Sequence, residues 1–373
     1  MNRVYFIDLP NRKIDTASYN RFLSLTRMAG YYFDTKIFKA TDVTDIFRKN
    51  TLIRGLAIRA SLMRASFNIV KVDKAHNNSV VYLFGVDPIM SIYYFILFKS
   101  YRIKIVSERN ELPIEIINNK HRIVSLYKRF LYPWLFKLFD GYSVISSQLQ
   151  KFYSSYTGER CQITLLPMTV DFSRFENVLI DNNKDVKFIF YAGSLDQSKD
   201  GINHLIRAFL RVHKKLLNWE LWIAGISDDS SDIVCSTIGD PDFEKKVKFL
   251  GLVSRDKIPA LLLSSEVCVL PRPDSLQARH GFPAKLGEYL ASGKPVITTN
   301  VGEIPSYLSK EEVFYISKDT IEVNLAETLL FVYSHYDQAL EKGQRGRQKA
   351  YQVFSLQKNA EILRDFINGV ISQ

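Results

Sequence analysis

The chain has 373 residues, 46% of them hydrophobic and 24% charged, with no low-complexity tract; this excludes a disordered or fibrous protein and makes two domains the default. Cys161, Cys235 and Cys268 lie far apart, without Cys-x-x-Cys or Cys/His ligand spacing, which excludes a disulfide scaffold and a zinc site and predicts reduced thiols in a cytosolic compartment. The net charge of +11 is one-sided, since residues 1–180 hold 26 Lys and Arg against 14 Asp and Glu, whereas residues 181–373 hold 24 against 25; a basic first half predicts an anionic partner surface.

In chain order, MNRVYFIDLP runs straight into a strand pattern, and no signal peptide is expected. Strands are expected at 4–8, 80–84, 103–107, 142–145 and 163–166, with helical patterns at 17–29 and 123–139. The most apolar run, 80–98, is split by Asp87 and Pro88 into pieces too short for the roughly 20 residues of a membrane span. It reads as strand, loop and helix. Periodicity fades over 167–185, which contains Asp181, Asn182, Asn183 and Lys184, and a linker is placed at 171–185.

The same rhythm then restarts. Strands are expected at 187–191, 220–224, 247–250, 267–270 and 296–299, with helices at 201–217, 258–264 and 282–291. Apolar strands alternating with helices imply parallel sheets covered on both faces. The fold class is therefore α/β, with two Rossmann-like doubly wound domains, 1–170 and 186–350, facing a cleft at their strands' C-terminal ends. The stretch 351–373 is expected as a C-terminal helix that packs back across that cleft.

Two segments carry anion-seeking chemistry. In HGFPAKLGEYLASGKPVI (280–297), Gly281 permits close approach and Pro283 suits a first helical turn; Phe282, Leu286, Tyr289 and Leu290 recur at helical spacing and Ser292-Gly293 is a stop. The preceding strand ends at Pro271, so the loop from Arg272 to Gly281 leads from a strand's C-terminal end to a helix N-terminus. Free N–H groups and the helix dipole attract phosphates there, and Arg272, Arg279, His280 and Lys285 crowd the same spot. Glu288 lies too deep to cap the helix but within reach of paired ribose hydroxyls. The second segment, YAGSLDQSKDGI (191–202), follows another strand of the same sheet; Gly193 frees the turn and Lys199 offers a point charge.

These residues resemble the family 4 glycosyltransferases, of two-domain GT-B architecture, and in particular bacterial members that build surface polysaccharides. The resemblance is carried by YAGSLDQSKDGINHLIRAF (191–209), WELWIAGISDD (219–229), VKFLGLVSRDKIPALLLSSEVCVLP (247–271) and, most strongly, GFPAKLGEYLASGKPVITTNVGEIPSYL (281–308). In the first half, VSERNELP (106–113) and LLPMTVDFSRF (165–175) are similar to some members. The resemblance implies a retaining hexosyltransferase that takes a sugar from a nucleotide diphosphate donor, with no cofactor and no obligatory metal. It implies that Glu288 holds the ribose and that Lys199 meets the diphosphate. The N–H groups of Ala284, Lys285 and Leu286 would lie under the phosphates, and Gly251, Leu252 and Val253 by the nucleobase.

Three departures from the family pattern stand out. His280 occupies the first of two positions that often carry Glu, Ser194 replaces the usual Arg beside the diphosphate, and no Gly-Gly pair follows the first strand. Leaving-group charge then falls to Arg272 or Arg279, with Lys199 and the helix terminus, while His280 can bond a sugar hydroxyl or a phosphate. Asp228-Asp229 reads as a polar turn rather than a metal site. Glu108, Arg109 and Glu111, after the strand at 103–107, are the candidate acceptor-binding residues, and His76 and His121 are isolated.

In LYKRFLYPWLFKLFDGY (126–142) long cations interleave with Trp134, Phe136 and Phe139, a pattern that suits a bilayer surface. An anionic membrane and a glycan or polyprenyl-linked acceptor are therefore expected partners, on the inner face of the plasma membrane. The alternatives are a nucleotide-sugar-binding relic without activity, a sugar-nucleotide epimerase, and a basic nucleic-acid-binding protein. For the last no recognition motif is present, and no G-x-G-x-x-G follows a strand to indicate a dinucleotide oxidoreductase.

Overall fold

The structure is a computed structural model and describes residues 2–8, 17–41, 51–73, 78–85, 87–113, 130–180, 186–193, 200–225 and 240–373. Ser194, Lys199, His76, His121, Asp228, Asp229 and Cys235 lie outside the described residues. The chain divides into two units: unit 1 comprises Met1–Pro167 with Leu356–Gln373, and unit 2 comprises Met168–Ser355.

Unit 1 is built on β1 (Arg3–Asp8), β2 (Asp34–Lys39), β3 (Ser79–Phe84), β4 (Lys104–Arg109), β5 (Gly141–Val144) and β6 (Gln162–Leu165). All pairings are parallel and the order is β2-β1-β3-β4-β5-β6. β3 reads SVVYLF with every residue buried, the unbroken apolar run that a strand covered on both faces requires. β2 was not anticipated: DTKIFK is half-exposed at the sheet edge and carries no continuous apolar signal.

Helices α1 (Ala17–Gly30), α2 (Thr51–Val72), α3 (Pro88–Ser100) and α4 (Ser147–Ser154) cover this sheet. The Asp87-Pro88 pair that divides the apolar run is the start of α3: the Asp87 carboxylate accepts from the N–H groups of Ile89 and Met90 at 2.9 and 3.1 Å. Among the described residues no helix is long and apolar enough to cross a membrane. Of the expected helix at 123–139, residues 130–136 are helical and 114–129 lie outside the described residues. Trp134 is exposed there, whereas Phe136 and Phe139 are buried in the unit's core.

Unit 2 contains β7 (Lys187–Ala192), β8 (Trp219–Ala224), β9 (Val247–Phe249), β10 (Val267–Leu270), β11 (Val296–Thr299) and β12 (Phe314–Ile316), again all parallel, in the order β12-β11-β10-β7-β8-β9. The chain starts in the middle of the sheet, runs outward to β9 and returns to the other side at β10. The strand order therefore reverses between β7 and β10, and a crevice opens outside their C-terminal ends.

Among the described residues the helices of unit 2 are α5 (Ile202–Val212), α6 (Pro241–Lys246), α7 (Ile258–Ser264), α8 (Leu276–His280), α9 (Ala284–Ala291), α10 (Ile304–Tyr307), α11 (Ile321–Ser334) and α12 (Tyr336–Phe354). α5 stops short of the expected 217 because Lys246 Nζ donates to the carbonyls of His213, Leu216 and Leu217 at 2.8, 2.8 and 3.0 Å, closing its C-terminus. The last helix, α13 (Leu356–Ile371), belongs to unit 1; Leu363, Phe366, Ile367 and Val370 are buried there with Val4, Phe22 and Leu25.

Candidate functional site

The C-terminal ends of β7 and β10 bring together much of the chemistry that the sequence placed on its two loops. β10 ends at Leu270, and Arg272 follows two residues on. Its side chain is buried, and its Nε has no hydrogen-bond partner among the described residues. Burial pulls the guanidinium below its ordinary value, and the charges of Asp200 and Tyr191 nearby oppose that shift. A buried cation left incompletely paired is costly unless an anion completes it.

The helix expected at 282–291 is α9, Ala284–Ala291, and Pro283 lies one residue before it rather than inside its first turn, with φ −75° and ψ 113°. α8 occupies part of the preceding loop. Pro283 provides no side-chain cap, so the first N–H groups of α9 are not closed by a side chain. Leu286 departs from expectation, since its N–H is taken by the Pro283 carbonyl at 3.1 Å.

Lys285, in the first turn of α9, donates to Asp200 Oδ2 at 2.6 Å and stands over the Tyr191 ring at 5.3 Å. Gly193 makes this possible: a Cβ there would lie 2.2 Å from Lys285 Nζ and 2.7 Å from the Tyr191 hydroxyl. Tyr289, one turn further along, fixes α9 to the end of β7. Its hydroxyl accepts from the Ala192 N–H at 2.7 Å and donates to the Ala192 carbonyl at 3.3 Å, and burial raises its pKa well above the ordinary value.

Glu288 is half-buried and paired with Arg174, whose other nitrogen donates to the Arg255 carbonyl at 2.6 Å. Arg174 lies on the 3-10 turn Phe172–Phe175, inside the stretch read as linker. One guanidinium thus holds Glu288 and the segment before α7 together.

Arg279 and His280 end α8. Arg279 makes two hydrogen bonds to Asp274, at 2.6 and 2.9 Å, and Lys318 adds a third at 2.7 Å. Those bonds hold the Asp274 carboxyl well below the usual carboxylate range. His280 Nδ1 lies 2.9 Å from the Leu276 carbonyl. Phe282 is core, packed edge-on to Tyr307 at 5.7 Å and against Phe354 at 5.3 Å. Gly281 is half-buried and leads into this segment.

Gly251, Leu252 and Val253 follow β9 on the same sheet edge. Gly251 has φ +62°, Leu252 is 86% exposed, and the Gly251 carbonyl accepts from Gly225 at 2.7 Å. Gly225, with φ +93°, has no room for a side chain, because a Cβ would lie 2.7 Å from the Gly193 carbonyl. The ends of β7, β8 and β9 thus touch through glycines. Asp200, Arg174 and Tyr289 were not singled out as ligand-site residues; their roles arise from contacts distant in sequence.

In unit 1 the expected acceptor residues separate. Glu108 does not follow its strand at an open edge, because β4 runs on to Arg109. Its side chain is fully buried: it accepts from Arg21 at 2.7 Å and Tyr82 at 3.0 Å, and is bonded to Ser143. Arg21 also donates to the carbonyls of Pro167 and Leu166, at 2.6 and 2.9 Å. The carboxylate has no solvent-facing oxygen, and this ion pair ties α1 to β4 and to the end of β6. Arg109 is half-buried over the Tyr142 ring at 5.9 Å, with its Nε unpaired among the described residues, and Glu111 is exposed.

Residues 186–335 match the family model of glycosyl transferases group 1. The trehalose synthase of Pyrococcus horikoshii is 25% identical over 179 residues, covering 46% of this chain and 41% of that protein. The N-acetyl-alpha-D-glucosaminyl L-malate synthase of Bacillus anthracis is 27% identical over 136 residues, covering 34% of each. The matched region thus spans less than half the length of either relative. Among solved structures, Anabaena Alr3699/HepE in complex with UDP superposes with a TM-score of 0.71 at 15% identity, covering 99% of this chain and 100% of that one. That likeness shows the fold, two Rossmann-like units of the GT-B type.

Proposed function

We propose that the chain, whose residues 186–335 match the family model of glycosyl transferases group 1, is a retaining hexosyltransferase using a nucleotide diphosphate sugar. The observation that carries this reading is the buried, incompletely paired Arg272 beside Lys285 and the uncapped start of α9 at a topological switch point. Lys285 pairs with Asp200, whose charge also acts on Arg272, so a pyrophosphate at this strand end meets both cations. UDP in the Anabaena relative is consistent with such a donor.

In this reading Arg272, Lys285 and the α9 terminus take up the charge that grows on the departing diphosphate. Each well-aimed donor of this kind is worth about 3–4 kcal/mol. Lys199 adds a further cation from the 191–202 loop. Glu288, oriented by Arg174, accepts from the ribose hydroxyls, and the exposed Leu252 offers an apolar face to the base. His280 bonds a hydroxyl of the transferred sugar. Retention follows when the acceptor hydroxyl attacks from the face the phosphate leaves, its proton passing to a phosphate oxygen; no protein base and no metal are required.

The acceptor is a glycan or a polyprenyl-linked sugar of surface-polysaccharide synthesis, bound through unit 1 with Arg109 and Glu111 as its polar contacts. The excess positive charge of residues 1–180 and the exposed Phe130 and Trp134 hold the protein on the inner face of an anionic membrane. A panel of nucleotide sugars incubated with acceptor-bearing vesicles tests the assignment. Release of nucleoside diphosphate with sugar incorporated into lipid is the expected result. Release from no member of the panel contradicts it, and tight binding without release favours a nucleotide-sugar binder in which His280 has cost the activity.

A further inference from the structure

Unit 2 carries an open groove of about 450 Å³ that shares no residue with the switch-point site. One wall is the 3-10 turn Phe172–Phe175 with Glu176 beyond it, and the other is the exposed flank of α12. The buried face of α12 is made of the small residues Ala339, Gly343, Gly346 and Ala350 and ends on Phe354, and it packs closely: a Cβ on Gly343 would lie 2.6 Å from the Gly293 carbonyl. This close packing fixes which side chains α12 turns to the groove.

Those side chains are Gln344, Gln348 and Gln352, spaced four residues apart and therefore stepped by about 6 Å along one stripe. Arg347 and Tyr351 flank the stripe. The Tyr351 ring is 56% exposed and meets Phe172 edge-on at 5.1 Å. Gln344 donates to the Gly293 carbonyl at 3.2 Å, whereas Arg347, Gln348 and Gln352 make no side-chain hydrogen bond among the described residues.

A carboxamide offers donors and an acceptor together, which matches a hydroxyl that both gives and receives a hydrogen bond. A row of them beside the exposed Tyr351 ring and the half-buried Phe172 presents polar contacts for hydroxyls and apolar faces for sugar C–H groups. Arg347 and Glu176 contribute one charge of each sign, so the groove lacks the excess positive charge that a phosphate chain or a nucleic acid would need. We propose that this groove binds an uncharged oligosaccharide, several sugar residues long, lying along α12.

The proposal rests on the glycosyltransferase reading for its biological sense, because such a glycan is the acceptor or the growing product held outside the reaction site. Phe172 and Arg174 lie on the same turn, so the occupant sits two residues from the guanidinium that orients Glu288.

The test is titration of the full chain, saturated with UDP, with maltohexaose, cellohexaose and xylohexaose as uncharged probes and a galacturonic acid hexamer as the acidic control. At least one uncharged probe is expected to bind with a Kd of about 1 mM. Tyr351→Ala should weaken it at least about tenfold and Gln348→Ala several-fold, while the thermal shift produced by UDP stays as in the wild type. Absence of binding by every uncharged probe at about 10 mM overturns the proposal. So does binding unchanged in both variants, and so does an acidic hexamer that binds as tightly as the neutral ones. If UDP gives no shift but the oligosaccharide still binds and is lost in Tyr351→Ala, the donor reading fails and the groove stands.

Discussion

Replacing Arg272 by Met removes a buried guanidinium while keeping most of its volume. If the residue serves the fold, this variant loses stability. If it serves an absent anion, the variant loses nucleotide affinity and gains up to about 1–4 kcal/mol of stability, because a desolvated charge has been exchanged for an apolar side chain. Burial has already lowered its pKa, which favours the second outcome. Chemical denaturation alongside nucleotide titration reads both quantities. Glu108→Ala should behave in the opposite way. Its carboxylate is fully buried against Arg21, so the change leaves an uncompensated charge and costs about 3–5 kcal/mol. Loss of activity in that variant will track unfolding in urea rather than a weakened acceptor contact.

Asp274 supplies a pH signature at the same scale. Its carboxyl is held well below its ordinary value of 3.8 by Arg279 and Lys318, so its contribution to stability is fully present above that pH. The contribution is lost only as pH falls through the lower folded value. Asp274→Asn should therefore lower Tm at neutral pH, with the difference from wild type closing only in strong acid, as followed by calorimetry across pH. Residues such as Glu288 and Lys285 were legible in the sequence because helix punctuation is local: Gly-Phe-Pro opens the segment and Ser-Gly closes it. Arg174 was not, since its partner Glu288 is 114 positions away and nothing in DFSRF announces it.

At the scale of elements, the site depends on how closely the strand ends meet. Gly225 has a positive φ and no space for a Cβ beside the Gly193 carbonyl, so Gly225→Ala should destabilise unit 2 by about 1–3 kcal/mol. It should also weaken nucleotide binding by shifting the β7 turn; denaturant midpoints and nucleotide titration check the two effects. The central strands were readable as short apolar runs because both their faces are buried. β2 and β12 escaped because an edge strand is half-solvated, and DTKIFK looks like a loop until its partner is known. The helix expected from 282 starts two residues later, at Ala284, since proline's fixed φ suits the position before a helix as well as its first turn.

For the whole molecule, α13 is the segment whose loss discriminates most between the units. Leu363, Phe366, Ile367 and Val370 are buried in the core of unit 1, and each large side chain removed costs about 2–5 kcal/mol. Their sum reaches the 5–15 kcal/mol that holds a typical domain together. A chain ending at Ser355 should lose the unfolding transition of unit 1 while unit 2 keeps its own, as resolved by calorimetry. The order of elements made two tandem parallel sheets legible early, because strand–helix alternation is written along the chain. The membership of the last helix was not, since an amphipathic pattern states that a face is buried without stating against what.

The most direct measurement is calorimetric titration of UDP, GDP and ADP into the wild-type chain and into Arg272→Met. At least one nucleotide should bind the wild type, stabilising it by about 2.7 kcal/mol at 100 times its Kd, and should bind the variant at least about tenfold more weakly. If none of the three binds the wild type, or if the variant binds as tightly, then no pyrophosphate is held between Arg272 and the start of α9.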